Sequence, residues 1–284
     1  MIRLILLALL IYYTPKFCYD KTDGFTLLKI QSSDSIVETQ PDAIPHLEEI
    51  FSQRFSYLGA GGQCYVFASE DGEYVVKFFK HHLRRLHPLI RMLPLGGKWA
   101  KKREDQRLRR LAKLDRDYTS YQLAYDELSD ECGLVAIHLQ KTNNLKTHAR
   151  IVDRLNIEHK VNLDKVHFLI QKRGTLALEH LSHLIQKNQI QEAKEAISSI
   201  CDLILDRSTK GIYDEDAKIH RNFGFLGNQA FLIDVGRLKP DARRKDKAVQ
   251  KRDLLKITAR LRSFLEKESP GLALYLDERC NAPL

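Results

Sequence analysis

Phe55-Ser-Tyr-Leu-Gly-Ala-Gly-Gly-Gln-Cys-Tyr-Val-Phe-Ala-Ser-Glu-Asp-Gly-Glu-Tyr-Val-Val-Lys-Phe-Phe79 is the stretch on which the fold turns. Aromatic and β-branched residues crowd either side of Asp71-Gly72, a dipeptide suited to a two-residue turn, so a tight β-hairpin is expected. Ahead of it, Gly59-Ala-Gly-Gly62 separates Phe55–Leu58 from Cys64–Ala68. A glycine-rich turn between strands lets backbone N–H groups approach phosphate oxygens, because no Cβ stands in the way. A plain flexible hairpin turn accounts for the same residues. No Gly-Lys-Ser/Thr ending is present and a strand, not a helix, follows. Walker-type and dinucleotide-binding readings therefore fail. Lys77 stands in the run Val75–Phe79 with Val75 and Phe79 on its own face, where an ammonium needs an anionic partner; on an edge strand it would instead reach solvent.

Outward from the hairpin the signal turns helical. Leu108, Leu111, Leu114, Tyr118, Tyr121, Tyr125 and Leu128 recur at steps of three or four and predict one buried face of a long helix, stopped at Gly133. Leu134–Leu139 and Val166–Ile170 read as strands. Ile190, Ala193, Ile197, Ile200 and Ile204 mark a second long helix, Phe231–Ile233 a short buried strand, and Leu254, Ile257, Leu261 and Phe264 a last helix. A short helix is expected at His46–Gln53, after the turn at Asp42–Pro45. The order is that of an α+β chain in two lobes.

Asp214-Glu-Asp-Ala-Lys-Ile-His-Arg-Asn222 is a carboxylate-rich loop, and Phe231-Leu-Ile-Asp-Val-Gly236 delivers Asp234 from an apolar strand. An amide oxygen and a carboxylate are hard ligands suited to Mg²⁺. Turn chemistry explains Asp214, Asp216 and Asn228 equally well, but not Asp234.

In order and spacing these segments resemble the protein-kinase-like superfamily, over about residues 55–237. Gly59, Gly61 and Val66 fit its glycine loop, with Gly62 beside them and Cys64 in place of the third glycine. Lys77 fits the strand lysine, and Asp234-Val-Gly236 the Asp-Phe-Gly element. Asn222, 12 residues before Asp234, matches the second metal ligand. Asp216 is the candidate base, six residues before Asn222 where five is usual, with Asp214 as the fallback. Reading His220-Arg-Asn222 as a His-Arg-Asp motif leaves too few residues before Asp234. Asp117, Asp126 and Glu127 compete as the acidic partner of Lys77. The resemblance implies a two-lobed protein-kinase-like fold with a small β-rich N-lobe and a reduced helical C-lobe. The implied division is 1–18 leader or anchor, 19–54 extension, 55–172 N-lobe with a basic insert, and 173–284 C-lobe. Only 50 residues follow Asp234 and no Ala-Pro-Glu-like anchor appears, which points to compact atypical members. It implies ATP and Mg²⁺ as cofactors, with Gly59, Gly61, Gly62, Val66 and Lys77 on the nucleotide, Asn222 and Asp234 on the metal, and a hydroxyl acceptor. A pseudokinase and a basic adaptor are the alternatives.

Composition bounds these readings. The chain has 284 residues, 43% apolar and 29% charged, which excludes disorder and collagen-like repeats. The net charge of +9 is unevenly spread: residues 80–116 hold 13 Lys/Arg against 3 acids, residues 237–262 hold 11 against 3, and the remainder nets −9. One block is expected to face an anionic partner such as a lipid surface; with Trp99 inside the first block and Phe264 just beyond the second as the only aromatics, stacking on nucleic acid is not expected. Five cysteines without a CxxC pair argue against a zinc cage or a disulfide framework, and Cys201 falls in a helical core register. Met1-Ile-Arg3 and the apolar run Leu4–Tyr13, closed by Thr14-Pro15, read as a signal peptide or membrane anchor. Export or membrane attachment is the expectation, and a cytoplasmic location if the segment is no signal. If the body is exported across a bacterial inner membrane, ATP is scarce where it lands, which favours the pseudokinase.

Overall fold

A computed structural model describes residues 2–32, 44–84 and 96–283. The fold class is α+β, in two compact units: residues 1–114 with 136–171, and residues 115–135 with 172–284.

The first unit is built on a seven-stranded sheet. Its strands are β1 (Arg54–Ala60), β2 (Cys64–Ser69), β3 (Tyr74–Phe79), β4 (Leu134–His138), β5 (His148–Val152), β6 (Glu158–Asn162) and β7 (Phe168–Lys172). They lie in the order β4-β7-β3-β2-β1-β5-β6. The hairpin expected at Asp71-Gly72 joins β2 to β3, with Val66 opposite Lys77. Its turn is tied by the Asp71 side chain, which accepts from the Ser69 hydroxyl and the Glu73 N–H, while Gly72 takes a φ of 79°. Because β3 lies inside the sheet, Val75 through Phe79 are buried on both faces, and the edge-strand explanation of Lys77 is excluded. The β5–β6 hairpin escaped the sequence reading. Only Ala149, Ile151 and Val161 are buried there amid charged residues, and β1 pairs with β5 in parallel, a long-range contact without local signature.

Thr14-Pro15 closes the apolar run but not the helix that carries it. A helix, α1 (Ile2–Thr22), runs through Pro15, although proline removes one amide donor from the ladder. The segment after it belongs to the sheet's core. Phe25 packs edge-on against Tyr65 and Phe67, Tyr65 donates to the Gly24 carbonyl at 2.8 Å, and Asp23 accepts from Tyr57 and Arg154 at 2.9 and 2.6 Å. Among the described residues no helix is long and apolar enough to cross a membrane. The short helix expected at 46–53 is confined to Leu47–Ile50. The turn expected at Asp42–Pro45 lies largely outside the described residues.

A polar network closes the bottom of this unit. Asp164 accepts from the Thr142 hydroxyl at 2.6 Å and from the amides of Leu145 and Lys146 at 3.0 and 2.9 Å; His138 meets Thr142 at 3.1 Å. Burial pushes the Asp164 carboxyl up, but these donors hold it below its ordinary value. A depressed carboxyl contributes stability that is present above its unfolded value of about 4 and is lost as pH falls through the folded one. Urea midpoints should therefore fall between neutral pH and pH about 3. Asp164→Asn should cost about 1–3 kcal/mol at neutral pH and flatten that slope; an unchanged slope would remove Asp164 from the account.

The long helix α2 (Gly97–Glu127) behaves differently from its sequence reading. Its buried positions are Asp117, Ser120, Tyr121 and Ala124, whereas Leu108 and Leu111 are exposed. The apolar face is thus used only in the C-terminal part.

The second unit carries α3 (Ala177–Gln186), α4 (Ile190–Thr209), α5 (Lys247–Glu268) and α6 (Pro270–Asn281) around two small sheets. One sheet orders β11 (Gln229–Leu232), β10 (Phe223–Leu226) and β8 (Thr175–Leu176); the other pairs β9 (Ile212–Asp214) with β12 (Leu238–Pro240). Ala193, Ile197, Ile200, Cys201 and Ile204 are buried along α4 as their spacing requires. Gly174 and Gly224 pack where a Cβ would lie within 3 Å of backbone oxygens, of Phe225 and Thr175 respectively. The sequence reading missed α3 and α6, although Ser269-Pro270 is a helix-start signal with proline in the first turn.

Candidate functional site

The glycine turn, Val66 and Lys77 lie on three adjacent strands of the first unit. Tyr57 faces Phe67 and Gly59 faces Val66, so Leu58 is the extra residue of a bulge that bends β1 into the turn. The Gly61 amide donates to the Cys64 carbonyl at 2.9 Å. An added Cβ at Gly59 or Gly62 would meet nothing within 4 Å, and at Gly61 only the Cys64 carbonyl at 3.9 Å. Neither packing nor a left-handed φ therefore demands these glycines. What they leave is open space beside the backbone, which a phosphate chain could fill. Lys77, 8% exposed, sits directly across from Val66.

A second lysine, overlooked in the sequence, completes this end of the sheet. Lys80 Nζ donates to the Gly61 carbonyl at 2.6 Å and lies 4.5 Å from the Tyr65 ring centroid. Its amide donates to Gln63. Burial, with help from Lys29, lowers its pKa despite the opposing influence of Cys64. It follows Phe79 without any motif to mark it.

In the second unit Asp214, Asp216, Asn222 and Asp234 gather around one loop system. Strand β9 ends at Asp214, which is buried in an ion pair with Arg207 at 3.2 Å. The free carboxyl oxygen Oδ1 accepts from the Asp216 amide at 2.8 Å. Burial raises the Asp214 carboxyl, Arg207 and that amide oppose the rise, and Asp234 adds to it. The two acids are therefore electrostatic neighbours. Asn222 is buried; its Nδ2 donates to the Asp216 carbonyl at 2.6 Å, and its own carbonyl accepts from Ile233 at 2.9 Å. One residue later Asp234 stands exposed, with Oδ1 accepting from the Gly236 amide at 3.1 Å.

The Asp234 turn is clasped from α2. The Ser120 hydroxyl donates to the Val235 carbonyl at 2.5 Å and accepts from the Leu238 amide at 2.6 Å. Leu238 then pairs with Asp214 across β12 and β9, so both ends of the loop system are fixed by backbone. Ser120 carries no recognisable motif. Its only advance signal is a small polar residue within an apolar helix face.

Asp216 is partly exposed and is engaged by Lys218 and by Arg221, the latter at 3.4 Å. Burial would raise its carboxyl, but these two cations hold it below the usual carboxylate range. Such a carboxylate accepts a proton weakly and orients a hydroxyl better than it stores the proton.

Do these residues fit a divalent cation? Asn222 commits its amide nitrogen to Asp216, so that its side-chain oxygen is the atom it could offer a cation, and Asp234 uses Oδ1 in the turn, so that Oδ2 is the atom it could offer. Among the described residues no group of three or more His, Cys, Asp or Glu is placed to hold a metal. One amide and one carboxylate suit Mg²⁺, which commonly takes one or two protein ligands and completes its shell with phosphate and water.

No family model and no curated protein matches the sequence. Solved structures with similarity include a crystal structure of WbdD at 14% identity and a TM-score of 0.37, covering 78% of this chain and 44% of that one. A second structure, of the bifunctional kinase-methyltransferase WbdD, gives 13% and 0.38, covering 82% and 47%. Rv3197 from Mycobacterium tuberculosis, in complex with erythromycin, gives 14% and 0.34, covering 74% and 55%. The chain thus spans 44–55% of the length of these three structures.

Proposed function

We propose that the chain is a kinase-like protein that transfers a phosphoryl group from ATP, with Mg²⁺, to a hydroxyl acceptor. The observation that carries this reading is the loop system of the second unit. Asn222 and Asp234 are tied to each other through the Ile233 amide, and Asp234 is left exposed although it follows three apolar residues. In this reading the amides of Gly59–Gly62 and the Lys77 ammonium hold phosphate oxygens. Asn222 and Asp234 hold the metal, and Asp216 positions the acceptor hydroxyl. A divalent cation bound there supplies charge neutralisation for the transferred group.

One observation favours the second reading, a pseudokinase that binds without turnover: Lys218 and Arg221 both occupy Asp216, the residue needed at the acceptor. The phosphotransferase requires Mg²⁺-nucleotide binding, whereas the pseudokinase uses the same fold for binding or membrane attachment without turnover. Thermal denaturation of the whole chain with ATP, with and without Mg²⁺, tests the first reading. At a ligand concentration about 100 times Kd, stabilisation should approach 2.7 kcal/mol. Lys77→Met should remove most of the shift. No shift with any Mg²⁺-nucleotide would defeat the phosphotransferase reading and leave the pseudokinase.

A further inference from the structure

The two basic blocks of the sequence have different fates. In residues 237–262 four of the cations, Lys239, Arg243, Arg244 and Arg262, pair with acids within the unit. Arg244 bridges Asp241 and Asp253 at 3.1 and 2.6 Å, Arg262 bridges Asp277 and Glu266, Arg243 pairs with Asp241 and Lys239 with Glu215. The first block is arranged otherwise, part of it (residues 85–95) lying outside the described residues. On α2, Lys98, Lys102, Arg109 and Lys113 are all exposed. At 3.6 residues per turn their spacing of 4, 7 and 4 places them within an arc of about 60°, along roughly 22 Å of helix. Asp105 is the acid nearest that arc, while Glu104 turns to Arg107. Trp99, exposed at the start of the helix, lies 5.6 Å from Lys102 Nζ.

The same unit exposes a second unusual surface. Leu10, Ile11, Tyr12, Tyr13 and Phe17 on α1 are each 57–72% exposed, a density of large apolar side chains that soluble surfaces rarely carry. Lys16 and Lys21 share the helix, and Lys21 Nζ lies 5.8 Å from the Phe17 ring. Tyrosine, phenylalanine and long lysine stems together suit the boundary between acyl chains and headgroups. The C-terminal end of α1 leads straight into Asp23, Gly24 and Phe25, which the sheet holds.

We propose that the first unit docks on an anionic lipid surface, with α1 entering the interface and the basic stripe of α2 meeting the headgroups. This goes beyond the phosphotransfer reading and does not depend on it. A second copy of the chain would bring the same positive stripe against itself. A nucleic acid would leave the apolar side chains of α1 uncovered. Anionic lipid answers both surfaces at once.

Co-sedimentation of the full chain with phosphatidylcholine vesicles, plain or containing about 30% phosphatidylglycerol, tests this. Binding should require the anionic lipid and should fall at least about tenfold between about 50 and 250 mM NaCl. Reversing Lys98, Lys102, Arg109 and Lys113 to Glu should lower affinity on the order of 10²-fold or more, because each cation near the surface is worth about fivefold. Tyr12→Ser with Tyr13→Ser and Phe17→Ser should weaken binding while leaving its salt dependence. Both variants should keep the wild-type thermal midpoint within a few degrees, since the altered residues are exposed. Equal binding to neutral vesicles, binding to neither vesicle, or tighter retention on duplex DNA at the same salt would each overturn the proposal.

Discussion

Asp234→Asn is expected to abolish the Mg²⁺-dependent part of nucleotide stabilisation and to slow any phosphoryl transfer by about 10²-fold or more. The substitution keeps the shape and an oxygen that can still accept from Gly236 at the observed 3.1 Å. It removes the negative charge that a cation between phosphates requires. Because Asp234 is exposed, and the turn around it is held by Ser120 at Val235 and Leu238, the nucleotide-free midpoint should move by only a few degrees. Asp234 also raises the carboxyl of buried Asp214, so the variant should relieve a small repulsion there. Thermal denaturation with ATP, run with Mg²⁺ and with chelator, separates these effects. A retained Mg²⁺-dependent shift would remove Asp234 from the metal site. Unfolding of the variant would make the residue structural and refute its assignment as a ligand.

Arg207→Met should cost about 3–5 kcal/mol, the largest stability loss expected from a single change outside the apolar core. Arg207 and Asp214 are almost wholly buried and meet at 3.2 Å. Burial already depresses the guanidinium's pKa, with Asp214 and Asp253 opposing the effect. Methionine fills much of the same volume but strands the Asp214 carboxylate in an apolar surrounding, where its pKa would climb further. Urea denaturation should show the loss, and Arg207→Met with Asp214→Asn should recover a substantial part of it. If the double variant is no better than the single one, packing rather than charge sets the cost. The local consequence follows from the pairing of Asp214 with Leu238 and from its bond to the Asp216 amide: losing the pair should loosen the loop that carries the candidate site.

The sequence by itself determined the features that depend on neighbours along the chain. The Asp71-Gly72 hairpin, the core register of α4 with Cys201 inside it, and the α+β order of elements all follow from periodicity and turn chemistry, which act over a few residues. So did the segments carrying Lys77, Asn222 and Asp234, since their residue types stand out against apolar surroundings. Tertiary structure decided what depends on partners far away. It put β3 inside a sheet through β7 and β2, so that Lys77 is buried and not at an edge. It left Leu108 and Leu111 exposed despite their helical spacing, because periodicity gives a face but not what covers it. It set Ser120 against the Val235–Leu238 turn, 115 and 118 residues away, and it paired Arg243, Arg244 and Arg262 of one basic block with acids while leaving the α2 stripe in solvent. Charge and hydrophobicity are properties of residues. Burial and pairing belong to the packed chain, and it is the packed chain that sets what each charge can do.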